Sequence, residues 1–186
     1  SNAAFFLCAG ALGGKTEITG LSLDSRQSDR ALTDILKAFG ADIKCGSSVS
    51  VCKSELFGIT VDISQCPDLF PTLAVTACAA HGDTVFTNAA RLRIKESDRI
   101  EAVEKMITSL GGFAESTPDS LTVHGTGTLA GGEVNSFNDH RIVMAAAVAA
   151  CICESPVVIR DAQAVNKSYP DFFEDYKKLG GKADVI

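Results

Sequence analysis

A pattern of about 70 residues occurs three times in this chain, and it restricts the possible folds more than any other feature. Each copy has a polar start, an amphipathic helix and a glycine at the expected helix end: SDRALTDILKAFGADIK (28–44), SDRIEAVEKMITSLGGFAE (97–115) and YPDFFEDYKKLGGKADV (169–185). The closing glycines Gly40, Gly111 and Gly180 are spaced more widely than the roughly 20 to 50 residues of most solenoid repeats. A whole supersecondary unit is therefore repeated.

A second and more apolar helix, followed by a strand, precedes each amphipathic helix. The helix–strand pairs are AAFFLCAGALGG with KTEITGL, PDLFPTLAVTACAAHG with DTVFTNA, and NDHRIVMAAAVAACIC with SPVVIRDA. Their small residues leave little polar face, which predicts burial on most sides. Short strands follow the amphipathic helices: ADIKCG with VSVCKS, FAEST with SLTVHGT, and KADVI in the third copy.

These elements predict an α/β (α+β) fold of three β-α-β-α-β-β units whose inner helices are buried. The first unit lacks its opening strand and the last unit lacks its closing strand, so both ends look cut from something larger. Ser1-Asn2-Ala3, with no initiator Met, resembles a protease-cleavage scar from cloning. We therefore expect the domain to occupy residues 4–186.

Composition excludes several classes of function. The net charge of -6 argues against a surface that binds nucleic acid or anionic membranes in general. Any cationic cluster is therefore local, and we expect it to bind a small anion. The longest apolar stretch, residues 142–153, is too short to cross a bilayer of about 30 Å hydrocarbon. Seven cysteines without a C-x-x-C pair, several of them in apolar runs, indicate reduced core residues in a cytoplasmic protein.

Cations crowd the expected start of the second amphipathic helix, in RLRIKESDRI (91–100). With Ser97 as the predicted N-cap, Arg99 falls in the first turn, and Arg91, Arg93 and Lys95 lie just upstream. The helix dipole disfavours a cation there by up to about 1 kcal/mol. An anion bound at this helix start would justify the arrangement.

Two other helix starts show the same feature. Asn138 is the predicted N-cap of a helix that begins Asp139-His140-Arg141, and Lys167 precedes the predicted N-cap Ser168 of the last helix. Three helix N-termini with free N–H groups and a cation suit a ligand that carries carboxylate and phosphate groups. The alternative is that these cations are solvated or pair with acidic side chains of the chain: Asp98, Asp139 and Glu174.

Two carboxylates lie close to these cations in sequence or in the phase of the repeat. Asp68 follows Pro67, a favoured first helical residue, and Glu96 lies between Lys95 and Ser97. A carboxylate among cations is an arrangement that proton transfer uses. For both residues the alternative is a structural charge at a helix terminus.

The segments RLRIKESDRI, NDHRIVMAAAVAA, CPDLFPTLAV and AVNKSYPDFFEDYKKLGG together resemble the 5-enolpyruvylshikimate-3-phosphate synthase family. The resemblance extends over residues 4–186 and corresponds to the second half of that family's longer chain. It implies one domain of the two-domain enolpyruvyl transferase fold, with an N-terminal domain as the missing partner. The implied substrates are phosphoenolpyruvate and shikimate 3-phosphate, and no metal or organic cofactor is implied.

The resemblance also implies roles for individual residues. Glu96 is the implied proton donor and acceptor at the methylene carbon, and Asp68 is implied to bind and help deprotonate the attacking hydroxyl. Substrate contacts are implied for six basic residues: Arg99 and Arg141 at the phosphoenolpyruvate carboxylate, Lys167 at its phosphate, Lys95 at shikimate 3-phosphate, His140 along the pocket, and Arg91 at a position where the family often has Asn against the shikimate ring.

Three alternatives remain open. One is the related UDP-N-acetylglucosamine enolpyruvyl transferase, which shares the repeat but not the combination of NDHR with KESDR. Another is a non-catalytic anion-binding or scaffold domain, and the third is an RNA-processing relative, which the acidic balance disfavours. On the first interpretation the chain holds half of a site, and we expect it to fold alone without turning over substrate.

Overall fold

The computed structural model describes residues 2–21 and 28–186 of the chain, without side-chain placement for residues 28–30. Ser1 of the expected scar lies outside the described residues. The three predicted units are present, and each forms a sheet of its own. None of the described helices is long and apolar enough to cross a membrane.

The first unit is a three-stranded antiparallel sheet of order β1-β3-β2 with two helices. Its elements are α1 (Ala3–Gly13), β1 (Lys15–Thr19), α2 (Ser28–Ala38), β2 (Asp42–Cys45) and β3 (Ser48–Cys52). Central strand β3 alternates, with Val49 and Val51 buried and their neighbours partly exposed. This period of two sets which face of the sheet packs on the core.

The second unit shows the full predicted β-α-β-α-β-β order. Its elements are β4 (Thr60–Asp62), α3 (Phe70–Cys78), β5 (Gly82–Thr87), α4 (Arg99–Ser109), β6 (Phe113–Ser116) and β7 (Leu121–Gly125). The sheet order is β4-β5-β7-β6, with β4 and β5 parallel and the other pairs antiparallel. Short 3₁₀ segments at Pro67–Leu69 and Ala90–Ile94 lead towards α3 and α4 respectively.

The third unit keeps the parallel pair and both helices. Its elements are β8 (Gly132–Asn135), α5 (His140–Ala149), β9 (Val157–Arg160) and α6 (Phe172–Lys178), with 3₁₀ segments at Ala150–Ile152 and Ala162–Lys167. The predicted strand in KADVI is wrong, since residues 181–186 form no regular element. In the other units the equivalent strands, β2 and β6, pair with the closing strand of their own unit. The third unit offers no such strand among the described residues.

The predicted glycine caps are confirmed in all three units. Gly40, Gly111 and Gly180 take φ values of 95°, 82° and 98°, a region that favours glycine because it has no Cβ. Each glycine N–H and the following N–H donate back to carbonyls of the last helical turn, as in Gly40 N to Lys37 O (2.9 Å) and Ala41 N to Leu36 O (2.9 Å). This is the Schellman motif, and it turns the chain from each outer helix back to the sheet.

The inner helices α1, α3 and α5 contact one another and form the centre of the core. All nine residues of α3 are buried, as the nearly continuous apolar and small-residue sequence predicts. Burial of a side chain such as Leu73 contributes about 1.5 to 3 kcal/mol. The prediction that the cysteines are core residues is wrong for four of the seven. Cys45 and Cys151 are exposed and Cys52 and Cys153 are half-buried, because they lie at the ends of β2 and β3 or after α5.

Candidate active site

The predicted site residues follow the carboxyl ends of the parallel strands. Asp68 lies six residues beyond the end of β4, and Arg141 lies six residues beyond the end of β8, so they hold equivalent places in successive units. Their side chains meet: Arg141 Nη2 is 3.0 Å from Asp68 Oδ2, and Arg141 Nη1 donates to the Asp68 carbonyl at 3.2 Å. The repeat therefore brings a carboxylate and a guanidinium together at one end of the sheets, where open α/β sheets bind ligands.

Arg99, the first residue of α4, is the centre of the site and has no exposed side-chain surface. Its Nε donates to Asp139 Oδ2 at 2.8 Å and its Nη1 to Asp68 Oδ1 at 2.9 Å. Its Nη2 donates to Glu96 Oε2 at 2.5 Å. Hydrogen bonds to charged partners are the strong ones, and here they fix all three nitrogens of one guanidinium. We call the five residues the arginine–carboxylate cluster: Asp68, Glu96, Arg99, Asp139 and Arg141.

The guanidinium groups at the starts of α4 and α5 are thus paired with carboxylates of the chain itself. The pairing of Arg99 with Asp139 was among the alternatives to a bound anion, whereas the pairs of Arg99 and Arg141 with Asp68 were not expected. Burial would lower the pKa of Arg99, but hydrogen bonds and charges from Asp139, Glu96 and Asp68 raise it. Arg99 is therefore a permanently charged group held in a fixed orientation.

The predicted N-caps of α4 and α5 are wrong by one residue. Asp98 rather than Ser97 caps α4, accepting a hydrogen bond from Glu101 N at 3.1 Å. Asp139 rather than Asn138 caps α5, accepting from Arg141 N at 2.9 Å. A carboxylate interacts better with the positive helix end than a hydroxyl or an amide, which explains the preference for Asp at both positions.

Asp139 was expected only as a possible ion-pair partner, yet it lies at the centre of the arginine–carboxylate cluster. It is fully buried, caps α5, binds Arg99 and accepts from Ser97 Oγ at 3.0 Å. Burial would raise the pKa of its carboxyl, but the hydrogen bond and charge of Arg99 and the other donors lower it. The available signal was local, because Asp139, like Asp98, directly precedes the first residue of a helix, a position that favours Asp.

His140 and Arg141 present buried nitrogens that have no partner within the described chain, His140 Nδ1 and Arg141 Nε. The nearest acidic oxygen to His140 Nδ1, Asp139 Oδ1, is 4.0 Å away and too far for a hydrogen bond. Burial and then the charge of Arg141 lower the pKa of His140, so the ring is neutral at pH 7. An unpaired buried polar nitrogen costs about 1 to 3 kcal/mol, and a ligand that hydrogen-bonds to it would remove that cost.

Lys167 reaches the same place from a different element than predicted. The last helix α6 begins at Phe172 with Asp171 before it, so Ser168 is not its cap, and Lys167 ends the 3₁₀ segment Ala162–Lys167. The Lys167 amine donates to the Asn138 carbonyl at 2.6 Å and remains exposed. Contrary to the prediction for the last helix, the N-terminus of α6 is therefore not part of the site. Lys167 nevertheless lies beside the start of α5.

Arg91 and Lys95 are exposed on or next to the 3₁₀ segment Ala90–Ile94. Within the described residues neither side chain bonds to the arginine–carboxylate cluster, although Glu96 follows directly and does. Arg93, which the sequence grouped with them, points elsewhere: its Nη1 pairs with Asp98 Oδ2 at 2.8 Å. Two exposed cations thus precede Glu96 in the chain, and the third upstream cation pairs with the N-cap of α4 instead.

The charges at the site determine what it can do. Two guanidinium groups face three carboxylates, of which Asp68 and Glu96 are 39% and 44% exposed while Asp139 has no exposed surface. Asp68 and Glu96 can therefore reach a ligand and exchange protons with it, while Arg141, His140 and Lys167 offer donors. Within the arginine–carboxylate cluster, carboxylates outnumber guanidinium groups by three to two. A polyanionic ligand therefore also needs cations from outside the cluster.

Known proteins resemble this chain over almost its whole length. The family model described as EPSP synthase (3-phosphoshikimate 1-carboxyvinyltransferase) matches residues 1–176. A protein of that name from Clostridium novyi is 47% identical over 185 residues, covering 99% of this chain and 42% of the relative. One from Pyrococcus abyssi is 46% identical over 180 residues, covering 96% of this chain and 43% of the relative.

A solved structure of EPSP synthase from Acinetobacter baumannii superposes with a TM-score of 0.87 at 29% identity. The match covers 97% of this chain and 45% of that chain, so this chain spans less than half the length of its relatives. The family match extends over all three units and includes every residue of the arginine–carboxylate cluster. This chain belongs to the EPSP synthase (3-phosphoshikimate 1-carboxyvinyltransferase) family.

Proposed function

We propose that this chain supplies one side of the active site for transfer of the enolpyruvyl group from phosphoenolpyruvate to the 5-hydroxyl of shikimate 3-phosphate. Phosphate is released, and the reaction belongs to aromatic amino-acid biosynthesis through the shikimate pathway. The single observation that carries the proposal is the pair of buried nitrogens without partners, His140 Nδ1 and Arg141 Nε, next to two partly exposed carboxylates. This set fits an anion that must also gain and lose protons.

The carboxylates divide the acid–base work. Asp68 accepts the proton of the attacking hydroxyl as its oxygen bonds to C2 of phosphoenolpyruvate, and Glu96 delivers a proton to C3, which becomes a methyl group. In the second step Glu96 removes a proton from that methyl group while the C2–O bond to phosphate breaks, restoring the double bond. The departing phosphate takes the proton that Asp68 gained in the first step. Arg99 holds both carboxylates through separate nitrogens, which keeps their positions fixed through both steps.

The basic side chains bind the substrates. Arg141 takes the phosphoenolpyruvate carboxylate, for which the fork of its guanidinium is suited, and Lys167 binds the phosphate that leaves. Arg99 supports the carboxylate site mainly through its charge, since its nitrogens are held by the cluster. Lys95 binds shikimate 3-phosphate, His140 lines the pocket, and Arg91 lies towards the shikimate ring.

We further propose that residues 4–186 form one domain whose partner is an N-terminal domain that supplies the remaining cations. The excess of carboxylates in the cluster supports this, because two polyanionic substrates need more positive charge than these residues provide. The setting we infer is the cytoplasm, with neither nucleic acid nor membrane as partner. The chain by itself is expected not to turn over.

The test is phosphate release by a chimaera in which this chain replaces the matching segment of the Clostridium novyi relative. We expect turnover with shikimate 3-phosphate and none with UDP-N-acetylglucosamine, and none from this chain alone. Glu96→Ala abolishes turnover, whereas Glu154→Ala, at an exposed position outside the cluster, retains it. A folded chimaera that releases no phosphate with shikimate 3-phosphate contradicts the proposal.

A further inference from the structure

Arg93 was predicted from the sequence to lie among cations that bind an anion. In the structure its three guanidinium nitrogens instead donate to three acceptors of the chain itself. Its Nε donates to the Pro118 carbonyl at 2.8 Å, and its Nη2 donates to the Thr117 carbonyl at 2.6 Å. Its Nη1 donates to Asp98 Oδ2 at 2.8 Å. All three nitrogens are thus bound to different acceptors, which requires the planar fork of a guanidinium.

The acceptors belong to two rigid parts of the second unit. Thr117 and Pro118 lie in the β6–β7 turn, which is closed by a hydrogen bond from Thr117 N to Ser120 O at 3.0 Å. The same turn also binds the start of the 3₁₀ segment Ala90–Ile94, since the N-cap Ala89 N donates to Asp119 O at 2.8 Å. Arg93 therefore fixes the end of the 3₁₀ segment to the sheet that already holds its beginning.

The third acceptor, Asp98, connects Arg93 to the start of α4. Asp98 Oδ1 caps the helix while Oδ2 receives Arg93, so one carboxylate serves both functions. The chain between Arg93 and Asp98 is closed into a short loop, and that loop carries Lys95 and Glu96. Within the described residues the N–H groups of Lys95 and Glu96 make no backbone–backbone hydrogen bond, so side chains determine where this loop lies.

Two arginines therefore hold this loop from opposite ends. Arg99, just downstream of the loop, binds Glu96, and Arg93, at the upstream end, binds Asp98 and the β6–β7 turn. We propose that Arg93 is a positioning residue that sets the geometry of Lys95 and Glu96 for substrate binding and proton transfer. This inference rests on the proposed function for its kinetic consequence, whereas its structural consequence can be measured without turnover.

The structural test uses backbone ¹⁵N order parameters of residues 94–98 in this chain and its Arg93→Lys variant. Lysine keeps the charge, but one ammonium cannot reach all three acceptors, so the loop is expected to change from rigid, about 0.85, to below about 0.6. Arg160→Lys is the matched control, because Arg160 also binds through Nε and Nη2 but pairs with exposed Glu133. Unchanged order parameters in folded Arg93→Lys overturn the proposal whatever the chimaera does.

The kinetic test places Arg93→Lys in the chimaera. A displaced Glu96 and Lys95 are expected to lower kcat by about 10- to 100-fold and to raise KM for shikimate 3-phosphate at least about threefold. KM for phosphoenolpyruvate is expected to change less than about twofold, since Arg141 and Lys167 have no bond to Arg93. A merely structural role would instead lower kcat in proportion to the folded fraction and leave both KM values unchanged, which contradicts the proposal.

Asp98→Ser provides a second variant. Serine still caps α4, but it removes the charged acceptor of Arg93, so a smaller change of the same kind is expected in both tests. A chimaera that is inactive with the unsubstituted chain counts against the proposed function alone, because the order parameters still decide the role of Arg93. Loop mobility without any kinetic change in an active chimaera counts against the positioning role alone.

Discussion

Replacement of Asp139 by Asn tests whether the arginine–carboxylate cluster stabilises this fold. The substitution keeps the shape and one side-chain oxygen for the α5 cap, but it removes the charge that faces Arg99 across 2.8 Å. Both side chains have no exposed surface. Removing one partner of a buried pair typically destabilises by about 3 to 5 kcal/mol, because the other charge stays buried without compensation.

The expected destabilisation by Asp139→Asn lies near the lower end of this range, because two other carboxylates still pair with Arg99. Arg99 keeps Glu96 and Asp68, which are closer to solvent, so we expect a loss of about 3 kcal/mol in the free energy of unfolding. For a chain of this length that corresponds to a melting temperature roughly 6 to 12 °C lower. Urea and thermal denaturation of both proteins at pH 7 measure the difference.

The pH dependence provides an internal check on the mechanism. Because the folded state lowers the pKa of Asp139, its charge contributes stability above the unfolded pKa of about 3.9 and loses that contribution as pH falls through the folded value. The difference in free energy of unfolding between the unsubstituted chain and Asp139→Asn should therefore become smaller below about pH 4. Glu133→Gln, which removes a carboxylate from exposed Arg160, is the control and is expected to leave the melting temperature unchanged. Equal effects of the two substitutions at pH 7 would refute the reasoning.

Two further predictions follow from other parts of the structure. Gly125→Ala places a Cβ 2.0 Å from the Ala80 carbonyl oxygen and is expected to destabilise by more than about 2 kcal/mol in urea denaturation. Gly14→Ala, with open space around its Cβ, is the control, and equal midpoints would show that the close approach relaxes freely. The His140 ring, whose pKa is lowered by burial and by Arg141, is expected to titrate below about 6.5 in an NMR pH series. A midpoint above that value would mean that carboxylates, not burial, control this ring.

Much of the fold could be predicted because its signals are local. The period of the inner helices, the alternation of β3 and the glycines at the outer helix ends each act within a few residues. The absence of a strand in KADVI could not be predicted, because a strand needs a partner that lies elsewhere in the chain. The caps of α4 and α5 were misplaced by one residue, since Ser97 and Asn138 are also good N-caps and only the helix geometry distinguishes them from the aspartates.

The sequence by itself determined the three units, their order, the buried inner helices and most of the residues that gather at the site. Only the tertiary structure decided which charges meet, because Arg99 contacts Asp68 and Asp139 across 31 and 40 residues of chain. Local patterns specify where a helix begins, but they carry no information on which other helix start it faces. The same reason explains Arg93, whose acceptors at Thr117 and Pro118 come from a distant turn. Tertiary packing placed Arg99 at the centre of the site, and it placed Arg93 against the β6–β7 turn and the N-cap of α4.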